Sequence, residues 1–474
     1  MNKLLSSLAL TALASGCVSG LATTDIPPSG MGAFVSGGAA YDTNAAPPDQ
    51  WWKLYADPRL DALVEKALRA NTDLRAAEAN LRAVRASLTE GRNRAYLPTT
   101  TLTASAQRGR AAANNIPGAT TQEPVVDTYT AGLDVSFEAD FFGRGRHGVG
   151  ALKADRDAAA AARDVVRVSV AAETARAFAD TCSANAQLAV AQRTLDVQQR
   201  AYDLTKRLLE AGSGNGLDAA RAGAAMEGTR AAVPAFAAQR DAALFRLATL
   251  VGVTPAEAPA EARACDAPPK LSSPIPIGDG KAMLARRPDI RQAARALKAS
   301  AERVGVSIAD LFPSIRIGAN AGVTGPNTQD LDQPTAFSFS VGPLLTWSFP
   351  NIFTAHQRIE AASARNDQAL AVWDGTVLNA LQETETALSS YAGELDTNAA
   401  LGRARDQSTE ASRLAGLRFD AGRDSFLSLL DAQRTQAQSD AAYAASNAAL
   451  VSKQITLFKA LGGGWEQAPP VDRK

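Results

Sequence analysis

The chain has 474 residues, with 49 basic and 49 acidic side chains, a formal charge of zero and only 6% aromatic residues. Without a basic excess it lacks the electrostatic footprint of a nucleic-acid binder, so no nucleic acid is expected among its partners. Alanine-rich stretches such as 157–162 give close-packing helices that cannot fill a thick core, and thin helical walls are expected in place of a solid globule.

The first residues read as an export signal: Lys3, the apolar run 4–10, then small residues. Ala14-Ser15-Gly16-Cys17 resembles a lipoprotein signal, which makes 1–16 the cleaved peptide and Cys17 the acylated (palmitoylated) mature N-terminus. A signal cut elsewhere is the alternative. Val18 stands where inner-membrane retention would place aspartate, so outer-membrane sorting is expected. Residues 17–50, rich in Gly, Pro, Ser and Thr, read as a lipidated tether. No later segment reaches the run of about 18 apolar residues that a spanning helix needs. A membrane crossing would therefore have to be made by strands.

Asp57 as N-cap and Pro58 at the first helical position open a helix, and Leu60, Leu63, Val64, Ala67 and Leu68 follow helical spacing. A second helix is expected over 71–96. The period then drops to two: Tyr129, Ala131, Leu133, Val135, Phe137, Ala139 and Phe141 alternate with Thr130, Gly132, Asp134, Ser136, Glu138 and Asp140. The same dyad marks strands at about 97–107, 313–323 and 336–349, joined by turn-rich loops at 108–128 and 324–335. A soluble one-faced sheet has such alternation, and so does an outer-membrane barrel with lipid outside and water within. Asp134, Glu138 and Asp140 fall on the water side. Helices are expected over 149–211, 217–251, 281–309, 353–420 and 427–461. The two long ones measure about 95 and 100 Å, and each pair of short ones sums to roughly the same length. Each long helix can thus lie beside two short ones stacked end to end.

This order occurs twice. Asn71-Thr72-Asp73 returns as Arg287-Pro288-Asp289 at an offset of 216, and Ala211-Gly212 as Ala421-Gly422 at an offset of 210. Such self-similarity divides the chain into repeats at 51–265 and 279–465, a linker at 266–278 and a tail at 466–474. Cys182 and Cys265 allow one intramolecular disulfide, and sequence alone leaves open whether it forms.

The run from Ala421 to Arg434, with Leu457 to Trp465 and Leu284 to Arg291, resembles the NodT/OprM branch of the TolC-like outer membrane factors. The resemblance extends from Trp51 to Trp465. It implies a mostly α fold with transmembrane β: a trimeric duct with four strands per chain in a shared twelve-stranded barrel, continued by a periplasmic α-helical barrel. It also implies a periplasmic adaptor and an inner-membrane pump of the RND type as partners, outer membrane lipid as surroundings, and small toxic compounds as cargo. Such a duct makes no bonds and needs no cofactor, so no enzyme is expected. Three positions match the family's periplasmic gate: Leu427, Asp431 and Arg434, on one helix face at i, i+4 and i+7. An ordinary exposed ion pair accounts for the two charges equally well. In the family the hairpin tips, here Ala211, Gly212, Ala421 and Gly422, meet the adaptor. A duct for ABC-driven protein secretion and a structural periplasmic lipoprotein are the competing readings.

Two motifs mislead. Residues 143–148 match the dinucleotide-binding glycine pattern, but no short βαβ unit surrounds them, and a flexible turn is expected there. His147 and His356 occupy similar places in the two repeats without a ligand cluster beside them, so no metal is expected.

Overall fold

The computed structural model describes residues 34–36, 38, 41–110, 124–271, 273–347 and 352–472. In chain order it contains β1 (Tyr41–Asp42), α1 (Pro58–Ala70), α2 (Thr72–Tyr96), β2 (Thr99–Gly109), β3 (Val126–Ala139), α3 (Arg144–Glu210), α4 (Gly216–Leu250), β4 (Ile275–Pro276), α5 (Gly280–Arg286), α6 (Pro288–Ala309), β5 (Ser314–Gly325), β6 (Phe337–Thr346), α7 (Ile352–Asp420) and α8 (Phe426–Ala460), with short 3₁₀ turns between. No described helix is long and apolar enough to cross a membrane. The chain divides into two compact units, one formed by 81–159 with 293–373, the other by 25–80, 160–292 and 374–474.

The first unit holds a four-stranded antiparallel sheet in the order β2-β3-β5-β6. Directly opposed residues share a face, and the register sorts the strands by polarity. Leu133 lies opposite Ala321 and Leu102, Val135 opposite Ala319, Phe137 opposite Ile317 and Ala139 opposite Ile315. Beyond them Ala321 lies opposite Phe339, Ala319 opposite Val341 and Ile315 opposite Leu345. One face is therefore apolar across all four strands. The other carries Thr101, Asp134, Asn320 and Ser340 in one row and Glu138 beside Arg316 in another, the latter pair 3.2 Å apart. Leu102, Phe339 and Val341 are largely exposed, so nothing among the described residues covers the apolar face there.

Three sequence expectations are corrected in this unit. The glycine run 143–148 is not an open turn, because α3 already begins at Arg144. Asp140 makes this possible: its carboxylate accepts from the N–H of Gly145 at 3.1 Å and of Arg146 at 2.8 Å, so two donors of the new helix are satisfied despite the glycines. His147, one turn in, pairs through Nδ1 with Glu302 Oε2 at 2.8 Å, while His356 is solvent-exposed. Asp140 consequently serves as a cap, not as a residue of the strand's water face. The strand expected to reach Phe349 ends at Thr346, and residues 348–351 lie outside the described residues.

In the second unit α1 starts as expected, with Asp57 Oδ1 accepting from Arg59 N at 2.9 Å and five apolar side chains buried at helical spacing. It ends at Asn71, which joins three elements. Asn71 Oδ1 accepts from Asp73 N and Leu74 N, capping α2, and Nδ2 donates to Leu250 O at the end of α4, 3.1 Å away. Arg287 occupies the matching place beside α8. The expected single helix 281–309 breaks there, because Pro288 holds Arg287 in extended geometry (φ −62°, ψ 123°). Arg287 donates to Ala460 O at 2.8 Å and forms ion pairs with Asp289 at 2.7 Å and Glu383 at 2.8 Å. Burial opposes its charge, but the two carboxylates outweigh burial and raise its pKa. Gly462 (φ +76°) lies against the stem; a Cβ there would come within 2.8 Å of Arg287 Cγ.

The expected tether extends too far. From Tyr41 onward the segment is packed: β1 pairs in parallel with β4, and the Tyr41 hydroxyl donates to Leu388 O at 2.5 Å. Asp49 then accepts the N–H groups of Gly464, Trp465, Glu466 and Gln467 at 2.8–3.1 Å. Trp51 stacks on Phe458 with centroids 4.9 Å apart, so residues 49–51 are tied to 458–467.

Candidate gate and hairpin turns

Two helical hairpins, α3–α4 and α7–α8, turn with one geometry. Gly212 N donates to Leu209 O at 3.0 Å and Ser213 N to Leu208 O at 3.0 Å; Gly422 N donates to Phe419 O at 2.9 Å and Arg423 N to Arg418 O at 2.9 Å. Gly212 and Gly422 have φ of +75° and +66°, the left-handed conformation that closes a helix end and strains any residue with a Cβ. Ala211 and Ala421 each donate back four residues, to Arg207 O and Leu417 O. The outgoing helices are capped by Asn215, which accepts from Asp218 N at 2.8 Å, and by Ser425, which accepts from Ser428 N at 3.2 Å.

The hairpins pack against each other through Ala201, Ala222, Phe426 and Leu430, with Phe419 edge-on to Phe426 at 5.9 Å. This contact fixes the rotation of α8. Phe426, Leu429 and Leu430 face inward, while Leu427 (50% exposed), Asp431 and Arg434 occupy the free side. Asp431 Oδ1 accepts from Arg434 Nη2 at 2.7 Å, with both side chains mostly in solvent. Such a pair stabilises its own helix by only about 0.5 kcal/mol. The three residues thus form one stripe, an apolar residue followed by an acid and a base.

Cys182 and Cys265 are both buried and joined by a disulfide, with Cα atoms 4.9 Å apart and 83 residues between them in sequence. Arg59 Nη2 lies 3.8 Å from Cys265 Sγ. Cys17 lies outside the described residues. Among the described residues no group of three His, Cys, Asp or Glu side chains could hold a metal ion. Sequence reasoning missed Arg287 and Asp49. The Arg-Pro-Asp triplet was a usable signal for the first, since a proline breaks the helix and an aspartate two residues on can hold the arginine; for Asp49 there was none.

Two long helical hairpins and a small two-faced sheet are the parts of an outer membrane efflux protein, and the chain belongs to that family, which matches it over residues 63–253 and again over 280–463. It is 29% identical to the probable efflux pump outer membrane protein TtgC of Pseudomonas putida, over 98% of this chain and 96% of that one. It is likewise 29% identical to the outer membrane protein OprJ of Pseudomonas aeruginosa, over 97% and 96%. Among solved structures it resembles the outer-membrane channel OprN, with a TM-score of 0.86, 35% identity and coverage of 92% of this chain and 98% of that one. The open state of the MtrE channel of Neisseria gonorrhoeae gives a TM-score of 0.80 at 27% identity, covering 93% and 97%.

Proposed function

We infer that this chain is the outer membrane channel of a tripartite efflux system, passively conducting small toxic compounds delivered by an inner-membrane pump through a periplasmic adaptor. The sheet carries this reading: one face is apolar across four strands and uncovered, the other polar. That is the pattern of a wall between lipid and water. Four strands cannot close a barrel, since transmembrane barrels begin at about 8, so the chain must share its sheet with copies of itself. A homotrimer supplies twelve strands. Relatives along nearly the whole chain are named as efflux pump outer membrane proteins, which supports the pump and adaptor as partners. The pump is proposed to be of the RND type, and Cys17 to carry the lipid anchor.

The stripe of Leu427, Asp431 and Arg434 is proposed as the periplasmic gate. It is the free face of α8, available to line an axis where three copies meet. The turns at Ala211, Gly212, Ala421 and Gly422 are proposed as the adaptor contacts, their shape being held locally by backbone hydrogen bonds, by Ser213 Oγ on Leu208 O and by the Arg418–Asp424 pair. Deleting the gene and measuring growth on chemically diverse drugs, dyes and detergents tests the function; unaltered growth on every compound would count against it. Asp431→Ala should raise single-channel conductance of the purified protein in planar bilayers. Conductance equal to the parent's would remove the gate assignment.

A further inference from the structure

Two cavities flank the proline-rich stretch at 268–270 in the second unit. One, of about 510 Å³, lies between this stretch, α3 and α8. The other, of about 430 Å³, lies between it, α7 and α8. Pro268, Lys270, Tyr443 and Asn447 line both, so the two are adjacent compartments of one groove.

The first cavity holds polar groups that the fold leaves unsatisfied. Gln198 is only 3% exposed, and its Oε1 has no hydrogen-bond partner; the buried Oε1 of Gln433 has none either. Buried oxygens of this kind normally find a donor. Burial raises the pKa of Asp440 in the same wall, with Arg405 and Arg193 acting the other way. The charges lining this cavity nearly cancel. Asp266 and Asp440 stand against Arg193 and Lys270, while Arg405 is engaged by Asp406 and lies 4.7 Å from the Tyr443 ring centroid. A charged ligand would find no excess of opposite charge. A neutral ligand with many donors and acceptors would complete the amides, the carboxylate and the arginines together.

We propose that these cavities bind an amino-sugar oligosaccharide, with hydroxyl and acetamido N–H groups donating to Gln198 and Gln433 and the next sugar lying along Tyr443 in the second compartment. Planar amide and carboxylate groups around an aromatic ring suit adjacent hydroxyls and a sugar's flat face. The inference rests on the groove alone and stands or falls separately from the channel reading.

Calorimetric titration of the full-length protein with the trimer of N-acetylglucosamine, in a detergent without a sugar headgroup, tests it. Saturable binding is expected, weakened about ten-fold by Gln198→Leu and by Gln433→Leu, one hydrogen bond each. Cellotriose, which has no acetamido groups, should bind more weakly than the amino sugar. Leucine replaces an unsatisfied amide with a side chain of similar size, so thermal unfolding should be unchanged or shifted upward, separating lost binding from lost fold. No saturable heat in the parent, equal affinity in both variants, or cellotriose binding as tightly would each overturn the proposal, leaving a water-filled groove.

Discussion

Replacing Arg287 with Met keeps the apolar stem beneath Gly462 and removes three polar contacts. The charged hydrogen bond to Ala460 O (2.8 Å) is the most costly loss, because it closes the last turn of α8 from a side chain whose residue is only 7% exposed, Arg287. A bond of that kind contributes about 1.5–3 kcal/mol. The ion pairs add less, since the Asp289 and Glu383 side chains retain 31% and 59% exposure and can rehydrate; together they contribute about 1 kcal/mol. The expected loss is about 2.5–4 kcal/mol, concentrated where α5, α6, α7 and α8 meet. Hydrogen exchange reads it locally: amides in the last turns of α8 should exchange at least about 30-fold faster in Arg287→Met. Arg287→Lys should fall between, because an ammonium cannot hold a carbonyl and two carboxylates with one planar fork. Parental exchange rates in Arg287→Met, or full restoration by lysine, would refute the reasoning.

Replacing both Cys182 and Cys265 with Ala opens a loop spanning 83 residues and should lower stability by about 2–4.5 kcal/mol; guanidinium midpoints should match between the reduced parent and the variant, and reductant should leave the variant unmoved. Asn71→Ala removes a cap on α2 and the donor to Leu250 O, for about 1–3 kcal/mol. Asn71→Asp should recover the cap and not the bond to Leu250, which a comparison of denaturation midpoints can resolve. Asp57 is held below the usual carboxylate range chiefly by the side chain of Arg59, with burial working against it and the Arg59 backbone N–H adding to it. Its stabilisation is therefore complete above about pH 4 and fades as pH falls toward the lowered folded value. Asp57→Asn should flatten the acid limb of the stability–pH curve, measured as unfolding midpoint between pH 6 and 3.

The strands were legible because a period of two survives any tertiary context: Leu133, Val135 and Phe137 had to share a face, and the register places their apolar partners beside them. The helical hairpins were legible because Gly212 and Gly422 mark the left-handed positions at which the long helices end. The start of α3 was not, since its cap comes from Asp140, a residue that continues the strand's alternation in sequence. The packed stretch from Tyr41 looked like a tether because its anchors, Leu388 and the 464–467 backbone, lie more than 340 residues away. On the candidate gate, sequence gave the spacing of Leu427, Asp431 and Arg434, but their common free side follows from Phe426 and Leu430 packing the opposite one. The groove around Gln198 and Gln433 left no trace in the sequence, because each glutamine reads as an ordinary polar residue on a long helix.

The strict alternation of the sheet also constrains how this gene can change length. Deleting one residue within β5 would exchange the sides of every position beyond it, turning Arg316 or Asn320 toward the apolar side and Ile315 or Ala319 toward the polar one. Insertions and deletions inside the strands therefore preserve the two faces in steps of two, or singly where a bulge absorbs the extra residue, whereas the segments joining them are free to drift. Aligned relatives should carry that parity as a fossil of the sheet.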